Sequence, residues 1–232
     1  MFTMSDKHFQ LDDIVLIGRT FAEYHRLFGL VNTNADDVIL DAASGVSSFC
    51  AEANARGYHV TASDRIYQFD ADIIAAKCQA DLESVMAQLP SVADMYVWET
   101  IPDIPTLKTE RQKAYRAFID DFRARGHSRY VPTTYPQSSF AANQFTLTLV
   151  SHFLFLYDDH LDYDFHQATL RELLRITSRE IRLFPLVNLH YRRSPFVQRF
   201  MDDPDFAACR FEIVNVDYEF LKGGNEMLVI GK

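Results

Sequence analysis

Apolar residues recur with two different periods along this chain, and the period separates predicted strands from predicted helices. Short apolar and β-branched runs predict strands at 38–42, 58–63, 129–131, 145–151 and 181–184. Apolar stripes at spacings of three and four predict helices at about 12–29, 47–56, 69–89, 107–126 and 195–201, and a further helix that Asp162 or Asp164 caps. This alternation of strands and helices is typical of an α/β protein with a mostly parallel sheet.

The C-terminal part of the chain departs from this alternation. Two β-rich runs, 211–220 and 226–230, flank Lys222-Gly-Gly-Asn225, and a glycine pair between two such runs predicts a hairpin. The hairpin adds one antiparallel strand to the mostly parallel sheet. Prolines and turn residues among apolar ones predict an irregular loop at 91–105. We find no repeat and no linker, and we interpret residues 1–232 as a single domain.

Composition restricts the class of protein. The chain has 232 residues, of which 48% are apolar and 24% charged, values typical of a soluble globular protein with one sizeable domain. No apolar run has the roughly 18 residues that span a bilayer, and the N-terminus lacks the basic start and apolar core of a signal peptide. Cys50, Cys78 and Cys209 are far apart, which indicates reduced thiols. We therefore expect a cytoplasmic protein with no membrane partner.

The charge of the chain bears on its binding partners. The formal net charge is −9 at pH 7, which argues against a large nucleic-acid interface, because phosphate neutralisation supplies most of the non-specific affinity of such interfaces. The basic clusters at 123–125 and 192–193 are short, and we interpret them as solvated surface. A small molecule is the expected partner, and no nucleic acid is expected.

The stretch Val38-Ile-Leu-Asp-Ala-Ala-Ser-Gly45 is the most informative in the chain. It runs from an apolar strand into an acid and a glycine turn, and the next predicted strand is followed by a second acid, Asp64. Ligands of open α/β sheets bind beyond the carboxyl ends of the strands, and an acid about 20 residues after the glycine turn can hold ribose hydroxyls. The sequence therefore predicts a cofactor that contains adenosine.

Two classes of cofactor are candidates for this site, and they differ in whether they contain phosphate groups. A dinucleotide needs a G-x-G-x-x-G turn, so that backbone N–H groups and a helix N-terminus can approach its pyrophosphate. The span 41–49 contains Gly45 as its only glycine. S-adenosyl-L-methionine (SAM) has no phosphate; it has a cationic sulfonium, an amino-acid end and a ribose diol, which suit one glycine and acids at the strand ends. SAM therefore fits better than NAD(P).

Several segments of the chain resemble class I SAM-dependent methyltransferases, and most closely a family of uncharacterised bacterial members. They are Gly18-Arg-Thr-Phe-Ala-Glu-Tyr24, Ile39-Leu-Asp-Ala-Ala-Ser-Gly45, Ala53-x-Ala-Arg-Gly57, Ser151-His-Phe-Leu-Phe-Leu-Tyr157, Phe184-Pro-Leu186 and Tyr218-Glu-Phe-x-x-Gly-Gly-Asn-Glu-Met-Leu228. The resemblance implies a Rossmann-like, seven-stranded, mostly parallel sheet with helices on both faces and an antiparallel strand 7 between strands 5 and 6. It also implies a lid over the cofactor, formed by the helix at about 12–29 and a helical insertion at about 91–127.

Two positions depart from the usual pattern of that family. Ala43 and Ser47 stand at the first turn where glycines are common. After strand 3, where many members have an acid beside the adenine, this chain has Thr133-Thr134. The second departure shifts adenine recognition onto hydroxyls or backbone groups.

The ends of the first two strands supply most of the candidate cofactor ligands. Asp41, at the end of a buried strand, either hydrogen-bonds the turn or contacts the cofactor ammonium. Ala43 and Gly45 let the backbone approach the ligand. Asp64 is the expected ribose ligand, and Arg65 either lines the adenosine pocket or covers the next helix.

Further candidates come from the first helix and the fourth strand. Arg19 lies on the predicted helix at 12–29, where its guanidinium can bind the methionine carboxylate of SAM bidentately or can be a solvated surface group. Ser151 ends strand 4, where the methyl group would face the acceptor. His152 is the candidate catalytic residue, as a general base or as a structural histidine, since methyl transfer from a sulfonium depends mainly on positioning and desolvation. The histidines and acids at 152–166 lack H-x-x-x-H spacing, and no metal is expected.

We interpret the chain as a SAM-dependent methyltransferase that acts on a small-molecule acceptor. Its aromatic residues either form an acceptor pocket or are buried in the helical insertion; they are Tyr96, Trp98, Tyr130 and Tyr135. One alternative is a non-catalytic SAM-fold module that binds a ligand or a partner protein, which the altered first turn leaves open. The others are an NAD(P)-linked oxidoreductase and a methyltransferase with a protein or RNA acceptor, which the missing glycines and the acidic charge disfavour.

Overall fold

A computed structural model describes residues 15–33 and 36–232 of the chain. The described residues form a seven-stranded sheet with the order β3-β2-β1-β4-β5-β7-β6. The strands are β1 (Val38–Ala42), β2 (His59–Asp64), β3 (Tyr130–Pro132), β4 (Phe145–Ser151), β5 (Thr177–Phe184), β6 (Arg210–Asn215) and β7 (Glu226–Gly231). Neighbouring strands from β3 to β5 are parallel, and β7 is antiparallel to β5 and β6. The predicted Rossmann-like fold is confirmed, including the antiparallel strand 7 between strands 5 and 6.

Helices cover both faces of the sheet. They are α1 (Phe21–Leu27), α2 (Phe49–Ala55), α3 (Ala71–Gln88), α4 (Ile104–Arg125), α5 (Tyr163–Ile176) and α6 (Pro195–Asp202). The core residues of α1 to α4 pack with Ile39 on one face, and those of α5 and α6 pack with Leu40 on the other. Successive residues of a strand point to opposite faces, so the apolar residues of β1 pack in both layers. None of the helices in the described part of the chain is both long and apolar enough to cross a bilayer.

Several predicted boundaries agree with the structure for local reasons. β1 and β4 have the predicted limits, 38–42 and 145–151. Asp162 rather than Asp164 caps α5, since its carboxylate accepts a hydrogen bond from the Phe165 N–H at 2.8 Å. α3 ends two residues before Pro90, and a 3-10 turn follows it.

The helix predicted at 12–29 is wrong over 15–20, and its first residues lie outside the described part of the chain. Residues 15–20 have no helical structure, and α1 begins only at Phe21. Thr20 starts it with a capping box, in which its hydroxyl accepts from the Glu23 N–H and the Glu23 carboxylate accepts from the Thr20 N–H. The apolar spacing continues across this boundary, because Leu16 is buried and Ile17 packs on the same core although the segment is not helical.

The predicted C-terminal hairpin is also shorter than expected. β6 ends at Asn215, and residues 216–225 leave the sheet at its carboxyl edge. There they pair with the irregular loop predicted at 91–105: the Val97 N–H donates to the Phe220 carbonyl at 2.8 Å, and the Lys222 N–H donates to the Met95 carbonyl at 3.0 Å. This pairing brings two loops that are far apart in sequence over the same end of the sheet.

Candidate functional site

A cavity of about 420 Å³ opens at the carboxyl ends of the parallel strands. Its size is within the range of pockets that bind small molecules and cofactors. Seven of the predicted site residues line it: Arg19, Ala43, Gly45, Asp64, Arg65, Ser151 and His152. The eighth, Asp41, lies within β1 and does not line it. The topology therefore brings together residues that are spread over 133 positions of the chain, from 19 to 152.

The turn after β1 has a left-handed backbone at two positions. Ala43 has a φ of 51° and Gly45 a φ of 54°. Glycine adopts this conformation without strain, whereas alanine does so at a cost of about 1–2 kcal/mol. A Cβ added to Gly45 would have no atom within 4 Å, so the glycine leaves open space at the cavity. The turn therefore exposes backbone to whatever the cavity binds.

Asp64 ties this turn to the end of β2. Its Oδ2 accepts a hydrogen bond from the Gly45 N–H at 2.9 Å, and its Oδ1 accepts one from the Ile66 N–H at 3.0 Å. Burial raises the pKa of Asp64, and the two N–H donors together with the Arg65 guanidinium oppose that rise. A carboxylate has about four acceptor sites, so two remain for a ligand. Arg65 itself is exposed at the edge of the cavity.

Tyr67 supports the turn from behind, a role that the sequence did not indicate. Its hydroxyl donates to the Gly45 carbonyl at 2.7 Å and is 2.6 Å from the Ser44 hydroxyl. Its ring lies against Phe118 of α4 and Tyr130 of β3, with centroids 5.7 and 5.4 Å away. Burial raises the pKa of Tyr67 well above its usual value, which keeps the hydroxyl a donor. The insertion helix therefore helps to hold the glycine turn.

The segment 15–20, which we call the N-terminal segment, packs directly on the turn after β1. A Cβ on Gly18 would lie 2.2 Å from the Val46 carbonyl oxygen, so only glycine fits there. The Arg19 carbonyl accepts hydrogen bonds from the Ser47 hydroxyl and the Ser48 N–H, both at 3.0 Å. Ser47 thus has a partner that a glycine would lack, which explains the departure from the family pattern at this position.

Arg19 lies in the N-terminal segment and not on a helix as predicted, yet its side chain reaches the cavity. Its Nη1 donates to the Ile17 carbonyl at 2.9 Å, while its Nε is 3.9 Å from the Glu23 carboxylate, too far for a hydrogen bond. Among the described residues, this buried Nε has no hydrogen-bond partner. Burial lowers the pKa of Arg19, and the charge of Arg111 adds to the effect. A cation held in this way favours an anionic ligand.

Glu23, Arg111 and Tyr218 form a buried network beside Arg19 that the sequence did not reveal. Arg111 of α4 donates two hydrogen bonds to the Glu23 carboxylate, at 2.6 and 2.7 Å, and the Tyr218 hydroxyl donates a third at 2.9 Å. Burial alone would raise the pKa of Glu23, but the Arg111 guanidinium overrides burial and lowers it to about 2. The Arg111 charge is therefore neutralised by Glu23, and Arg19 carries the surplus positive charge.

Asp41 is fully buried beneath the cavity. Its Oδ1 accepts a hydrogen bond from the Tyr24 hydroxyl of α1 at 3.1 Å, and its Oδ2 has no partner among the described residues. Burial raises the pKa of Asp41 well above its usual value, and the nearby charge of Asp64 raises it further. In the structure, Asp41 therefore contacts α1 and not the turn that follows it.

Ser151 and His152 end β4 in a strained conformation. His152 has a φ of 54°, which is uncommon outside glycine and costs about 1–3 kcal/mol. Its N–H donates to the Phe184 carbonyl at 2.7 Å, and its Nδ1 is 2.8 Å from the Ser151 hydroxyl. Burial lowers the pKa of His152 well below its usual value, and the charge of Arg19 lowers it further. The imidazole at the cavity is therefore neutral at pH 7.

The four aromatic residues named from the sequence separate into two environments. Tyr96 and Tyr135 line the cavity. Tyr130 belongs to the core beside Tyr67, and Trp98 packs behind the cavity on Phe220, with centroids 5.5 Å apart. The aromatic lining includes further residues that the sequence analysis did not assign to a pocket, and these are Phe153, Tyr157, Phe165, Phe184, Tyr191, Tyr218 and Phe220.

The acids and histidines at 152–166 do not converge. No group of three or more histidine, cysteine or carboxylate side chains that could hold a metal occurs among residues 15–33 and 36–232. His166 instead stacks on Phe155 in the core, with centroids 5.9 Å apart, and its Nδ1 is 2.8 Å from the Asp162 carbonyl. Its role is that of a packed core histidine.

No family model matches the sequence. Uncharacterized protein MJ0045 of Methanocaldococcus jannaschii is 41% identical over 225 residues, which cover 97% of this chain and 99% of that protein. The alignment extends over nearly the whole length of both proteins.

Several solved structures resemble the fold at low sequence identity. A putative SAM-dependent methyltransferase from Methanococcus maripaludis has a TM-score of 0.48 and 14% identity, over 91% of this chain and 86% of that chain. SAM-dependent methyltransferases from Aquifex aeolicus and Methanosarcina mazei each have a TM-score of 0.43, with 11% and 13% identity, over 90% and 86% of this chain and 91% and 94% of those chains.

Proposed function

This chain belongs to the same protein family as uncharacterized protein MJ0045 of Methanocaldococcus jannaschii, and we propose that it is a SAM-dependent methyltransferase with a small-molecule acceptor. The observation that carries the proposal is the 2.9 Å hydrogen bond from the Gly45 N–H to the Asp64 carboxylate at the cavity. It joins an acid and a tight turn at the carboxyl ends of two adjacent parallel strands, where adenosine cofactors bind in open α/β sheets.

The start of α2 supports SAM over a dinucleotide. A pyrophosphate is held by free backbone N–H groups at the N-terminus of the first helix. Here the Ser48 N–H donates to the Arg19 carbonyl, and the Phe49 N–H donates to the Ser47 hydroxyl at 3.0 Å. Both amides are thus already used within the protein. A cofactor without phosphate needs neither of them.

The residues at the cavity fit the chemical groups of SAM. The two free acceptor sites of Asp64 suit the ribose diol, and the open space at Gly45 admits the ligand next to the backbone. The unpartnered Nε of Arg19 suits the carboxylate of the methionine part. Thr133 and Thr134, with Arg65 beside them at the edge of the cavity, suit the adenine. In this proposal Ala43 shapes the turn, and Asp41 acts through Tyr24 and α1.

SAM supplies a methyl group on a cationic sulfonium, and its transfer is an in-line displacement that benefits from positioning and from exclusion of water. The chain provides a neutral His152, linked to Ser151, at the end of β4. We assign to His152 the acceptance of a proton from the methyl acceptor. The N-terminal segment and the insertion 91–127 form the lid over the cofactor, since Leu16, Tyr96 and Leu107 line the cavity. Both belong to the single domain that we propose for residues 1–232.

Calorimetry with S-adenosylhomocysteine (SAH) and with NADH tests the class of cofactor. We expect saturable heat with SAH and none with NADH. Heat with NADH alone would overturn the proposal in favour of an oxidoreductase. Transfer of a labelled methyl group from SAM to compounds of a metabolite extract then distinguishes an enzyme from a binding module. If the protein binds SAH but no compound of the extract becomes labelled, the chain is a binding module.

The substitution Asp64→Ala tests the ribose ligand. We expect it to weaken SAH binding at least about tenfold, or about 1.4 kcal/mol, because the diol loses its acceptor and the Gly45 amide loses its partner. Calorimetry measures the affinity, and circular dichroism checks the fold. Asp70→Ala is the matched control, since Asp70 is an exposed acid that makes no cap hydrogen bond at the start of α3. Parental affinity in Asp64→Ala would reject the assignment.

A further inference from the structure

We propose that the methyl acceptor is an uncharged, flat aromatic molecule, held by tyrosine and phenylalanine rings at one end of the cavity. The inference rests on the proposed function and extends it to the class of acceptor. We call this part of the cavity the aromatic end, and its residues are Tyr96, Phe184, Tyr191, Tyr218 and Phe220.

The rings of the aromatic end form two series of contacts, and the loop at 216–225 connects them because it carries both Tyr218 and Phe220. Tyr96 lies 4.9 Å from Phe220 and 6.4 Å from Tyr191, between ring centroids, and is nearly perpendicular to the latter. Phe184 lies 6.1 Å from Tyr218 and 5.5 Å from the His152 imidazole. These separations are those of attractive aromatic pairs, which prefer offset and edge-to-face geometry. A flat ring inserted among them extends the same contacts, and the candidate proton acceptor His152 belongs to the series of Phe184 and Tyr218.

Tyr191 has a strained backbone conformation. Its φ is 60°, a left-handed value that is rare for a bulky side chain. Asn188 imposes this conformation: its side-chain oxygen accepts from the His190 N–H at 3.0 Å and the Arg192 N–H at 3.3 Å, and its carbonyl accepts from the Tyr191 N–H at 3.0 Å. Strain that the surrounding contacts maintain is a mark of functional positions. The loop after β5 is therefore arranged to present one aromatic ring to the cavity.

The charges at the cavity indicate that the acceptor is neutral. Apart from histidine, the ionisable side chains that carry a charge at pH 7 among the described lining residues are Arg19, Asp64, Arg65, Lys77 and Arg111. Arg111 is paired with Glu23, and Lys77 with Asp81 at 3.0 Å. Arg19 and Asp64 are assigned to the two ends of SAM, and Arg65 is exposed next to Asp64. Among the described residues, no charge other than that of the exposed Arg65 remains to neutralise an ionic acceptor, whose burial would then be costly.

A matched set of small probes on the SAH-saturated protein tests the inference. Phenol and cyclohexanol have the same heavy atoms, and 4-hydroxybenzamide and 4-hydroxybenzoate differ mainly in charge. With ligand-observed NMR titrations, we expect phenol to bind at least about tenfold more tightly than cyclohexanol, and the amide more tightly than the carboxylate. Equal binding of phenol and cyclohexanol would overturn the aromatic class, and tighter binding of 4-hydroxybenzoate would overturn the neutral class.

Variants of Tyr191 connect the preference to this site. Tyr191→Asn removes the ring and tolerates the left-handed backbone, so we expect it to fold, to bind SAH as the parent does, and to lose most of the preference for phenol. Tyr191→Phe keeps the ring and should keep the preference. Phe69→Ala removes an exposed aromatic ring that does not line the cavity, and it is the control. A parental phenol preference in Tyr191→Asn would overturn the inference.

The outcomes for the two proposals are separable. Failure of the parent protein to bind SAH overturns the proposed function, whatever the phenol titration shows. Binding of SAH without a preference for phenol leaves the methyltransferase proposal standing and overturns the acceptor class alone.

Discussion

The turn after β1 and the aromatic end belong to one cavity, yet the residues of the turn are close together in the sequence and those of the aromatic end are far apart. The turn and Asp64 lie within a short stretch, and backbone N–H and carbonyl groups make most of its contacts. The aromatic end brings together side chains from the end of β5 and from the loops at 91–105, 185–194 and 216–225. The comparison shows that the part proposed for the cofactor is held by backbone geometry, whereas the part proposed for the acceptor consists of replaceable side chains.

The buried network of Glu23, Arg111 and Tyr218 connects the two regions. It joins α1, which follows the N-terminal segment, to α4 and to the loop at 216–225. A change in this network should therefore disturb both parts of the site, whereas changes in one part should leave the other intact.

The largest expected effect follows from Arg111→Leu, which leaves the buried Glu23 carboxylate without its cation. We expect a loss of about 3–5 kcal/mol in the free energy of unfolding, and a melting temperature lower by roughly 10 °C. Without Arg111, burial raises the pKa of Glu23, whereas in the parent it is about 2. The parent is stabilised by this ionised carboxylate above the unfolded pKa near 4.5, and it loses that stabilisation as the pH falls towards 2. Because Glu23 has the higher folded-state pKa in the variant, denaturant unfolding should show that the difference in stability between the two proteins shrinks as the pH falls towards 2.

Two further variants serve as controls for the Arg111→Leu measurement. Arg116→Leu removes an exposed arginine from the same helix and should change stability by less than about 0.5 kcal/mol. The double variant Glu23→Gln with Arg111→Met removes both charges and should recover part of the lost stability. An Arg111→Leu protein as stable as the parent would show that the pair contributes nothing to the fold.

The second effect concerns chemistry and leaves the cofactor region untouched. His152→Asn keeps a residue that tolerates positive φ but removes the imidazole, so we expect kcat to fall about 100-fold with unchanged SAH affinity. Because the pKa of His152 lies well below 6.5, its base form persists as the pH falls from 8 to 6, and parental kcat should not decline with its titration there. Steady-state rates and calorimetry measure the two quantities. His160→Asn, at an exposed histidine, is the control, and a His152→Asn enzyme of parental rate would return His152 to a structural role.

The third prediction distinguishes two effects of a substitution at a glycine: backbone strain, which lowers stability, and a new side chain in the cavity, which lowers SAH affinity. Gly45→Ala forces alanine into a left-handed backbone, at about 1–2 kcal/mol, and places a methyl group in the open space at the cavity. Gly57→Ala has the same backbone problem, with a φ of 88° and open space around it, but Gly57 does not line the cavity. Both variants should lose similar stability, and only Gly45→Ala should lose SAH affinity, by about tenfold. Equal SAH affinity in the two variants would contradict the proposed position of the ligand.

The smallest effect is a gain in stability. Ala43→Gly relieves a left-handed alanine but adds freedom to the unfolded chain, and the balance predicts stabilisation by about 0.5–1 kcal/mol. Thermal unfolding should show a melting temperature higher by roughly 2–4 °C. Ala42→Gly, one position earlier and within β1, should lower it instead. A destabilised Ala43→Gly protein would mean that Ala43 makes contacts which outweigh its strain.

Local patterns were sufficient for most elements of the sheet. The apolar runs at 38–42 and 145–151 match β1 and β4, and the run at 58–63 was enough to place Asp64 at the carboxyl end of β2. The prediction at 12–29 was wrong over 15–20, because a non-helical segment that packs apolar residues on the core can have the same spacing as a helix. Its real start was present as the capping box of Thr20 and Glu23, a signal that marks the boundary more reliably than periodicity.

The amino-acid order alone was enough for the succession of strands and helices and for the glycine turn with its two acids, because strand period, capping and turn preference act between residues a few positions apart. Folding in three dimensions settled the rest: the ion pair of Glu23 with Arg111, the support of Gly45 by Tyr67, and the pairing of Tyr96 with Leu221. These contacts join residues that are 22 to 125 positions apart. Their formation depends on how the sheet orders its strands and closes its loops, and no local pattern contains that information.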